Sequence, residues 1–261
     1  MTSHFTYTVH GSGHGSGPGL LLAHGAGGSA EANFGPVLPE LAAGQTVVAP
    51  DYPAAGETPR NTGPLDLDML ADGLVASALH AGVERFGIVG YSLGTAVAVR
   101  AATRHPDRVT GLVLTAGLAA PDNRLRLAAQ VWRQLLLDGD RDLLSRFLMF
   151  AGTGPGQLNQ QSPTELDKSL DLLSDFIRDG SLEQIELVGR IDTRSDLSEI
   201  AVPALVIAAA ADVLVGPELS GELAAGIRGA ELVEINAGHG VITEETAEWL
   251  AAVLPFLSRL A

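Results

Sequence analysis

The 261-residue sequence has no cysteine and little positive charge, with 16 Lys and Arg residues against 31 Asp and Glu residues. Without cysteine, the chain cannot be a disulfide scaffold or hold a thiolate-bound zinc or iron–sulfur centre. The formal net charge of −15 repels phosphate, and we therefore expect no nucleic-acid partner. The longest apolar runs, residues 20–23 and 204–211, fall short of the roughly 18 residues of a membrane-spanning helix. We expect no membrane partner either.

Hydrophobic residues make up 46% of the chain, which is enough to bury a core and offset the entropy lost on folding. The length fits one domain of roughly 200–250 residues, or one domain that carries an insertion. The first residues lack the basic segment and the apolar segment of a secretory signal peptide. The expected location is therefore cytoplasmic.

Short runs of branched apolar residues alternate with stretches of helical periodicity along most of the chain. The predicted strands cover residues 5–10, 19–23, 46–50, 86–90, 109–116, 202–210 and 231–235. Helices are predicted at residues 64–83, 93–105 and 243–260, the last of them interrupted or bent at Pro255. Buried strands that alternate with helices form parallel sheets covered on both faces. The sequence therefore predicts an α/β fold with a mostly parallel sheet.

One long segment, residues 121–196, breaks this alternation because it contains no convincing strand and three or four predicted helices. Within it, Ser162-Pro163-Thr164-Glu165 combines a capping box with proline at the first helical position. We therefore predict a core formed by residues 1–120 and 197–261, with residues 121–196 inserted as a helical cap.

The strongest local motif is Gly90-Tyr91-Ser92-Leu93-Gly94, between a predicted strand and a predicted helix. At such a junction, Gly-x-Ser-x-Gly forms a sharp turn that raises the serine hydroxyl above the sheet. The glycines are needed because a Cβ atom at either position would collide with neighbouring backbone. Free N–H groups at the start of the helix can stabilise a negatively charged oxygen. The motif predicts Ser92 as a catalytic nucleophile.

A serine nucleophile needs a base, and the base needs a third group to orient it. Two histidines follow Ser92 in the sequence. His105 is predicted at the far end of the helix that starts beside Ser92, whereas His239 directly follows a strand region. His239 is therefore the predicted base. Asp212 follows another predicted strand, at the edge where such sheets bind ligands, and is the predicted orienting acid.

Other acids fit this role less well than Asp212. Asp122 is the reserve candidate, but it is also well placed to cap a helix. Asp192 and Asp196 lie in the predicted insertion and are expected to face solvent.

A second glycine-rich turn, His24-Gly25-Ala26-Gly27-Gly28, follows the predicted strand at residues 19–23. A turn of this kind supplies one backbone N–H to an oxyanion, here the N–H of Ala26. The residue after the nucleophile, Leu93, supplies the other. His24 has a structural role in this interpretation.

The same turn supports an alternative function. Residues 25–30 fit the Gly-x-Gly-x-x-Ala pattern of a dinucleotide-binding site, and Asp51 lies 21 residues beyond Ala30, where a ribose-binding acid is expected. In this alternative the protein is a Rossmann oxidoreductase. It is the weaker interpretation, because it leaves the serine, aspartate and histidine without a role and places the motif on the second predicted strand.

Neither a metal nor an organic cofactor is expected. The histidines near the N-terminus lie in glycine-rich surroundings without a nearby carboxylate, which gives a metal no fixed ligand geometry. Three aromatic residues of the predicted insertion, Trp132, Phe147 and Phe150, are expected to pack between its helices. We also take them as candidate residues of a substrate pocket.

Together these motifs resemble the α/β-hydrolase superfamily over essentially the whole chain, and above all its small capped esterases, enol-lactonases and cofactor-free haloperoxidases. The residues that carry the resemblance are His24-Gly25-Ala26-Gly27, Gly90-Tyr91-Ser92-Leu93-Gly94, His105-Pro106-Asp107-Arg108-Val109, Asp212-Val213-Leu214-Val215-Gly216-Pro217 and Gly238-His239. The resemblance implies an α/β-hydrolase fold, with a mostly parallel sheet of seven or eight strands, helices on both faces and an inserted helical cap. Seven strands are expected if the short N-terminus lacks the first strand.

The motifs and the resemblance predict a serine hydrolase that cleaves an ester, lactone or thioester through an acyl-enzyme on Ser92. The expected substrate is a medium-sized apolar or aromatic small molecule. One alternative is a biosynthetic tailoring enzyme that uses the same triad for cyclisation, lactone formation or C–C bond hydrolysis. Another is a non-catalytic ligand-binding protein. A homodimer stays an open option.

Overall fold

The computed structural model describes residues 4–11, 19–177 and 180–260, and seven strands within them form one sheet. The strands are β1 (Tyr7–His10), β2 (Gly19–Ala23), β3 (Val47–Pro50), β4 (Phe86–Tyr91), β5 (Val109–Thr115), β6 (Ala204–Ala209) and β7 (Glu231–Ile235). Their order across the sheet is β1-β3-β2-β4-β5-β6-β7. The pairing of β1 with β3 is antiparallel, and all other pairings in this sheet are parallel. The predicted α/β class and mostly parallel sheet are confirmed.

The central strands are apolar and buried on both faces, which explains their continuous hydrophobic runs. Neighbouring side chains along a strand point to opposite faces of the sheet. In β2, Leu21 therefore contributes to one hydrophobic cluster, and Leu20 and Leu22 contribute to the other. Strand β7 forms one edge of the sheet and exposes most of its residues.

Helices cover both faces of the sheet. Those described are α1 (Ala30–Phe34), α2 (Leu38–Leu41), α3 (Leu67–His80), α4 (Leu93–Arg104), α5 (Asn123–Asp138), α6 (Arg141–Gly152), α7 (Pro155–Gln160), α8 (Pro163–Phe176), α9 (Ser181–Val188), α10 (Pro217–Gly226), α11 (Val241–Glu244) and α12 (Thr246–Ser258). Helices α3, α4 and α10 bury apolar side chains in the first cluster, whereas α1, α2 and α12 bury theirs in the second. The sheet is therefore the middle layer of three.

Five helices, α5 to α9, lie between β5 and β6, and no strand is described in that interval. Asp122 caps α5 by accepting a hydrogen bond from the N–H of Leu125 at 2.7 Å. Ser162 and Glu165 form the predicted capping box at the start of α8. Within this group, α5 packs on α6 and α9, and α6 packs on α8. This inserted segment is called the helical insertion below.

In the C-terminal region the structure has two helices where the sequence predicted one, and Pro255 does not interrupt the second of them. Helix α11 ends at Glu244, α12 begins at Thr246, and α12 continues past Pro255 to Ser258. Proline removes one helical hydrogen bond, which leaves the carbonyl group four residues earlier without its partner. That residue, Ala251, is exposed, and water can therefore bind its carbonyl. The helix can continue for this reason.

Candidate active site

Ser92 lies at the sharp turn between β4 and α4, with φ 54° and ψ −120°. Few residues other than glycine adopt a positive φ, so this backbone is strained. The two glycines of the motif make the turn sterically possible. A Cβ atom on Gly90 would lie 2.6 Å from the carbonyl oxygen of Gly94, and one on Gly94 would overlap the carbonyl oxygen of Ala23. The packing thus requires both glycines.

The structure brings Ser92, His239 and Asp212 into one hydrogen-bonded chain, although they follow three different strands. His239 Nε2 lies 3.0 Å from Ser92 Oγ, and His239 Nδ1 lies 2.6 Å from Asp212 Oδ2. The other carboxylate oxygen of Asp212 accepts hydrogen bonds from the N–H groups of Leu214 at 2.8 Å and Val215 at 2.9 Å. One oxygen of Asp212 is therefore held by backbone, and the other is left for the histidine.

This series of hydrogen bonds fixes the tautomer of His239. A carboxylate only accepts hydrogen bonds, and His239 Nδ1 must therefore carry the proton that faces Asp212. His239 Nε2 is then unprotonated and can accept the hydroxyl proton of Ser92. The arrangement has the connectivity of a nucleophile, a general base and an orienting acid.

The backbone beside Ser92 offers two candidate donors for an oxyanion. Helix α4 begins at Leu93, and its first N–H groups have no acceptor within the helix. In the facing turn, the N–H of Gly25 binds Asn33 Oδ1 and the N–H of Gly27 binds Gln184 Oε1, both at 2.8 Å. The N–H of Ala26, between them, has no acceptor among the described residues.

Comparison with known proteins gives three kinds of match. A family model of the α/β hydrolase fold matches residues 18–246. The pyrrolizixenacetamide deacetylase of Xenorhabdus hominickii is 34% identical over 245 residues, which cover 93% of this chain and 92% of that protein. A pimeloyl-acyl-carrier-protein methyl ester esterase of Neisseria meningitidis is 30% identical over 248 residues, covering 91% and 93% respectively. The enol-lactonase structure from Burkholderia xenovorans superposes with a TM-score of 0.84 at 24% identity, covering 97% of this chain and 96% of that one.

The chain belongs to the α/β-hydrolase fold family. The family resemblance inferred from the motifs is therefore confirmed, and so are the fold class and the seven-stranded form of the sheet. The relatives are named as hydrolases of different acyl compounds. The relatives therefore support hydrolysis as the general reaction of this α/β hydrolase.

Family membership removes the dinucleotide-binding alternative. Asp51, the proposed ribose-binding acid, accepts a hydrogen bond from the N–H of Ala30 at 2.8 Å and so holds the start of α1.

His24 has the expected structural place in this α/β hydrolase. It is completely buried, accepts a hydrogen bond from the N–H of Tyr52 at 2.9 Å through Nε2, and donates to the carbonyl oxygen of Gly25 at 2.8 Å through Nδ1. Burial lowers the pKa of His24.

The remaining candidate acids and the second histidine lie in other environments. His105 binds Asp72 at 2.8 Å near the end of α4, away from the serine at its start. Asp192 is exposed as expected, but the same expectation for Asp196 is wrong. Asp196 is buried beside Arg100, with 3.1 Å between Nε and the carboxylate. A charge inside the fold needs such an ionic partner.

A cavity of about 310 Å³ opens onto Ser92 and His239. The helical insertion contributes apolar residues to its wall, among them Leu125, Trp132, Leu148, Met149, Leu173, Ile177 and Ile185. Trp132 lines the cavity as predicted. Phe147 is not among the lining residues and packs against the core, and Phe150 is 71% exposed.

The position of Phe150 corrects the sequence prediction. Successive residues of a helix are about 100° apart around its axis. Because Leu148 and Met149 face the cavity, Phe150 is turned toward solvent. Helix α6 contacts the cavity through non-aromatic residues such as Leu148 and Met149, and its aromatic composition did not indicate which face of the helix makes that contact.

Tyr91 is a neighbour of the triad that the sequence prediction missed. Its hydroxyl donates to the backbone carbonyl oxygen of His239 at 2.9 Å, and the two rings lie 5.2 Å apart. Burial, followed by the nearby charges of Asp212 and Glu244, raises the pKa of Tyr91. The hydroxyl therefore remains a hydrogen-bond donor that holds the histidine loop. Tyr91 occupies a variable position of the serine motif, which gave no signal of this contact.

The described residues contain no group of three or more His, Asp or Glu side chains that could hold a metal ion. His14, one of the N-terminal histidines, lies outside those residues. Among the described helices, none is both long and apolar enough to cross a membrane.

Proposed function

We propose that this α/β hydrolase is a serine hydrolase that cleaves an ester, lactone or thioester through an acyl-enzyme on Ser92. The observation that carries the proposal is the continuous chain from Ser92 Oγ through His239 to the buried carboxylate of Asp212. Ser92 and His239 line an apolar cavity, which gives a substrate access to the hydroxyl.

In the proposed reaction, His239 Nε2 accepts the hydroxyl proton while Ser92 Oγ bonds to the substrate carbonyl carbon. The N–H groups of Ala26 and Leu93 stabilise the negative charge that develops on the carbonyl oxygen. His239 then returns the proton to the leaving group, and the carbonyl–leaving-group bond breaks. A water molecule, deprotonated by His239, releases the acid and restores Ser92. Asp212 stabilises the charged form of His239 in both half-reactions.

The cavity supports a substrate that is neutral, apolar and of medium size. No Asp, Glu, Lys or Arg side chain is among its described lining residues, and a substrate charge buried there would lack a partner. A volume of about 310 Å³ suits a ligand at the small end of the range for such pockets. An aromatic or alicyclic acyl group fits both conditions.

Two polar groups of the insertion favour a substrate that carries an additional oxygen able to accept a hydrogen bond. Trp132 Nε1 and Ser181 Oγ have no hydrogen-bond partner among the described residues, and both residues are buried and line the cavity. Both side chains lie beside Gly27, where a Cβ atom would contact the Trp132 ring and Ser181 Oγ. Leaving two buried donors unpaired is unfavourable. A substrate oxygen placed beside them would relieve that cost.

Amide deacetylation is the second candidate function. The Xenorhabdus relative, at 34% identity over 93% of this chain, is named a deacetylase, and its name specifies an acetamide. The same triad can cleave an amide, because His239 can protonate a departing amine as it would an alcohol. Ester and amide cleavage would use the same catalytic residues and differ only in the leaving group of the substrate.

Active-site labelling and a substrate panel test the proposal. A fluorophosphonate should label the wild type on Ser92 and should fail to label Ser92→Ala, whereas Ser258→Ala, an exposed serine of α12, should label normally. Matched nitrophenyl acetate and nitroacetanilide, with aromatic lactones and thioesters, then separate ester from amide cleavage. Labelling that persists in Ser92→Ala would refute the mechanism. Tight ligand binding without turnover would favour a ligand-binding protein, and ring-closed products would favour a tailoring enzyme.

A further inference from the structure

Gln184 joins the helical insertion to the oxyanion turn. This residue of α9 is 1% exposed, and its Oε1 accepts the N–H of Gly27 at 2.8 Å across 157 residues of sequence. Its Nε2 donates to the carbonyl oxygen of Pro53 at 3.4 Å. Gly27 has a φ of +75° and directly follows Ala26, the candidate oxyanion donor. A side chain of the insertion therefore holds the peptide next to that donor.

Glu244 joins the helical insertion to the histidine loop. Its carboxylate accepts the N–H of Gly238, the residue before His239, at 2.9 Å. The same carboxylate accepts the N–H of Gly154 at 3.1 Å, and Gly154 lies in the insertion between α6 and α7. One half-buried carboxylate thus binds the backbone of both segments.

The two segments also contact each other directly. The N–H of Gly240 donates to the carbonyl oxygen of Gly152 at 2.9 Å. A Cβ atom on Gly154 would lie 2.8 Å from the nitrogen of Gly238, and one on Gly238 would overlap the nitrogen of Gly154. Glycine is therefore required on both sides of the contact, because any side chain would separate the backbones and lengthen the bonds to Glu244.

We propose that the helical insertion positions both catalytic loops, and that Gln184 and Glu244 are the positioning residues. The inference rests on the proposed function, since it assigns these contacts to the geometry of that triad and oxyanion site. Gln184 fixes the turn that presents the N–H of Ala26, and Glu244 fixes the loop that presents His239. The insertion is thus part of the catalytic geometry as well as a wall of the substrate cavity.

The alternative is an insertion that only covers the cavity, and the kinetic consequences differ. A cover contacts the substrate, so that weakening its attachment should raise KM and leave the reaction of a small probe with Ser92 unchanged. A positioning element controls where the base and the oxyanion donor lie relative to Ser92. Misplacing catalytic groups by about 1 Å costs on the order of 100-fold in rate.

The test compares two variants that remove the hydrogen bonds, Gln184→Met and Glu244→Ala, with two control variants. The control Glu186→Ala lies on the same helix as Gln184, and the control Glu245→Ala lies beside the same loop as Glu244. Glu186 pairs with Arg133 at the surface, and Glu245 is exposed. We expect kcat on a small ester and the rate of fluorophosphonate labelling to fall about 10-fold to 100-fold in the first two variants. KM should change little. The controls should stay within about twofold of wild type.

Glu244→Gln distinguishes positioning from general loss of structure. Its amide oxygen can still accept hydrogen bonds from both glycines, so the labelling rate should be restored most of the way toward the wild-type value. Melting temperatures are measured in parallel. If Glu244→Ala does not fold, Glu244→Gln and Gln184→Met carry the comparison, and a labelling rate in Gln184→Met equal to that of wild type overturns the inference.

Hydrogen exchange gives a readout that does not depend on activity. Loss of the Glu244 carboxylate should speed exchange in peptides containing Gly154 and Gly238, and loss of the Gln184 amide should do so in the peptide containing Gly27. Unchanged exchange, or a higher KM with unchanged kcat and labelling, would overturn the inference. If the wild type itself is not labelled, the proposed function fails. The exchange result then decides alone whether these residues hold the loops.

Discussion

Replacement of Asp212 by asparagine tests the triad sharply, because the backbone dictates how the new amide must lie. One carboxylate oxygen of Asp212 accepts the N–H groups of Leu214 and Val215 at 2.8 and 2.9 Å, and the other lies 2.6 Å from His239 Nδ1. An asparagine keeps only one oxygen. That oxygen stays with the two N–H donors, and the amide nitrogen then faces the histidine.

In this orientation the amide donates a hydrogen bond to His239 Nδ1, which moves the imidazole proton to Nε2. The histidine can then no longer accept the proton of Ser92. The opposite orientation would leave two buried N–H groups without acceptors, at a cost of about 1–3 kcal/mol each. The total of roughly 2–6 kcal/mol, at about 1.4 kcal/mol per factor of ten, favours the inactive orientation by roughly 30-fold to 20,000-fold.

The assay is kcat/KM for a nitrophenyl ester in wild type, Asp212→Asn and Asp212→Ala, with melting temperature as the check on folding. We expect Asp212→Asn to lose at least about 30-fold, the lower bound from the lost hydrogen bonds. It should also be no more active than Asp212→Ala, which leaves either tautomer available. Activity of Asp212→Asn within about threefold of wild type, in a folded protein, would refute the assigned role of Asp212.

Two further predictions concern buried polar groups. Because burial lowers the pKa of His24, the folded protein keeps it neutral while the unfolded chain binds a proton below about pH 6.5. The free energy of unfolding should therefore decrease as pH falls below about 6.5, by up to about 1.4 kcal/mol per pH unit. Urea unfolding of His24→Gln at several pH values should lack this part of the pH dependence. For a substrate with a second carbonyl, Ser181→Ala or Trp132→Phe should lower kcat/KM by roughly twofold to 13-fold. The matched substrate without that carbonyl should be unaffected, and equal losses on both would exclude the proposed contact.

The sequence predicts those features that depend on residues close together in the chain or on the end of a strand. Ser92, Asp212 and His239 each follow a predicted strand, and parallel strands bring their carboxyl ends to one edge of the sheet. Local rules were therefore sufficient to predict that these side chains would meet. The capping box at Ser162 was equally local, since both of its partners lie within one turn of the helix.

The features that the prediction missed depend on distant parts of the chain. Gln184 reaches a backbone group 157 residues away, and no periodicity or motif in its own helix indicates that contact. Glu244 lies near His239 in sequence, but its second partner is in the insertion. The direction of Phe150 and the continuation of α12 through Pro255 depend on which helix face meets the rest of the protein. A single sequence shows the spacing of such residues but not the rotation of the helix.

The exposed edge of the sheet at β7 has a consequence for how copies of this chain meet. Glu231 and Glu234 are both exposed on this strand, and Arg259 pairs with Glu231 at 2.6 Å. A strand from a second copy, laid along this edge, would place its own charged side chains against those of β7. Charged side chains on an edge strand oppose such pairing. We therefore expect the charged side chains of β7 to oppose extension of the sheet at this edge, and self-association to use another surface.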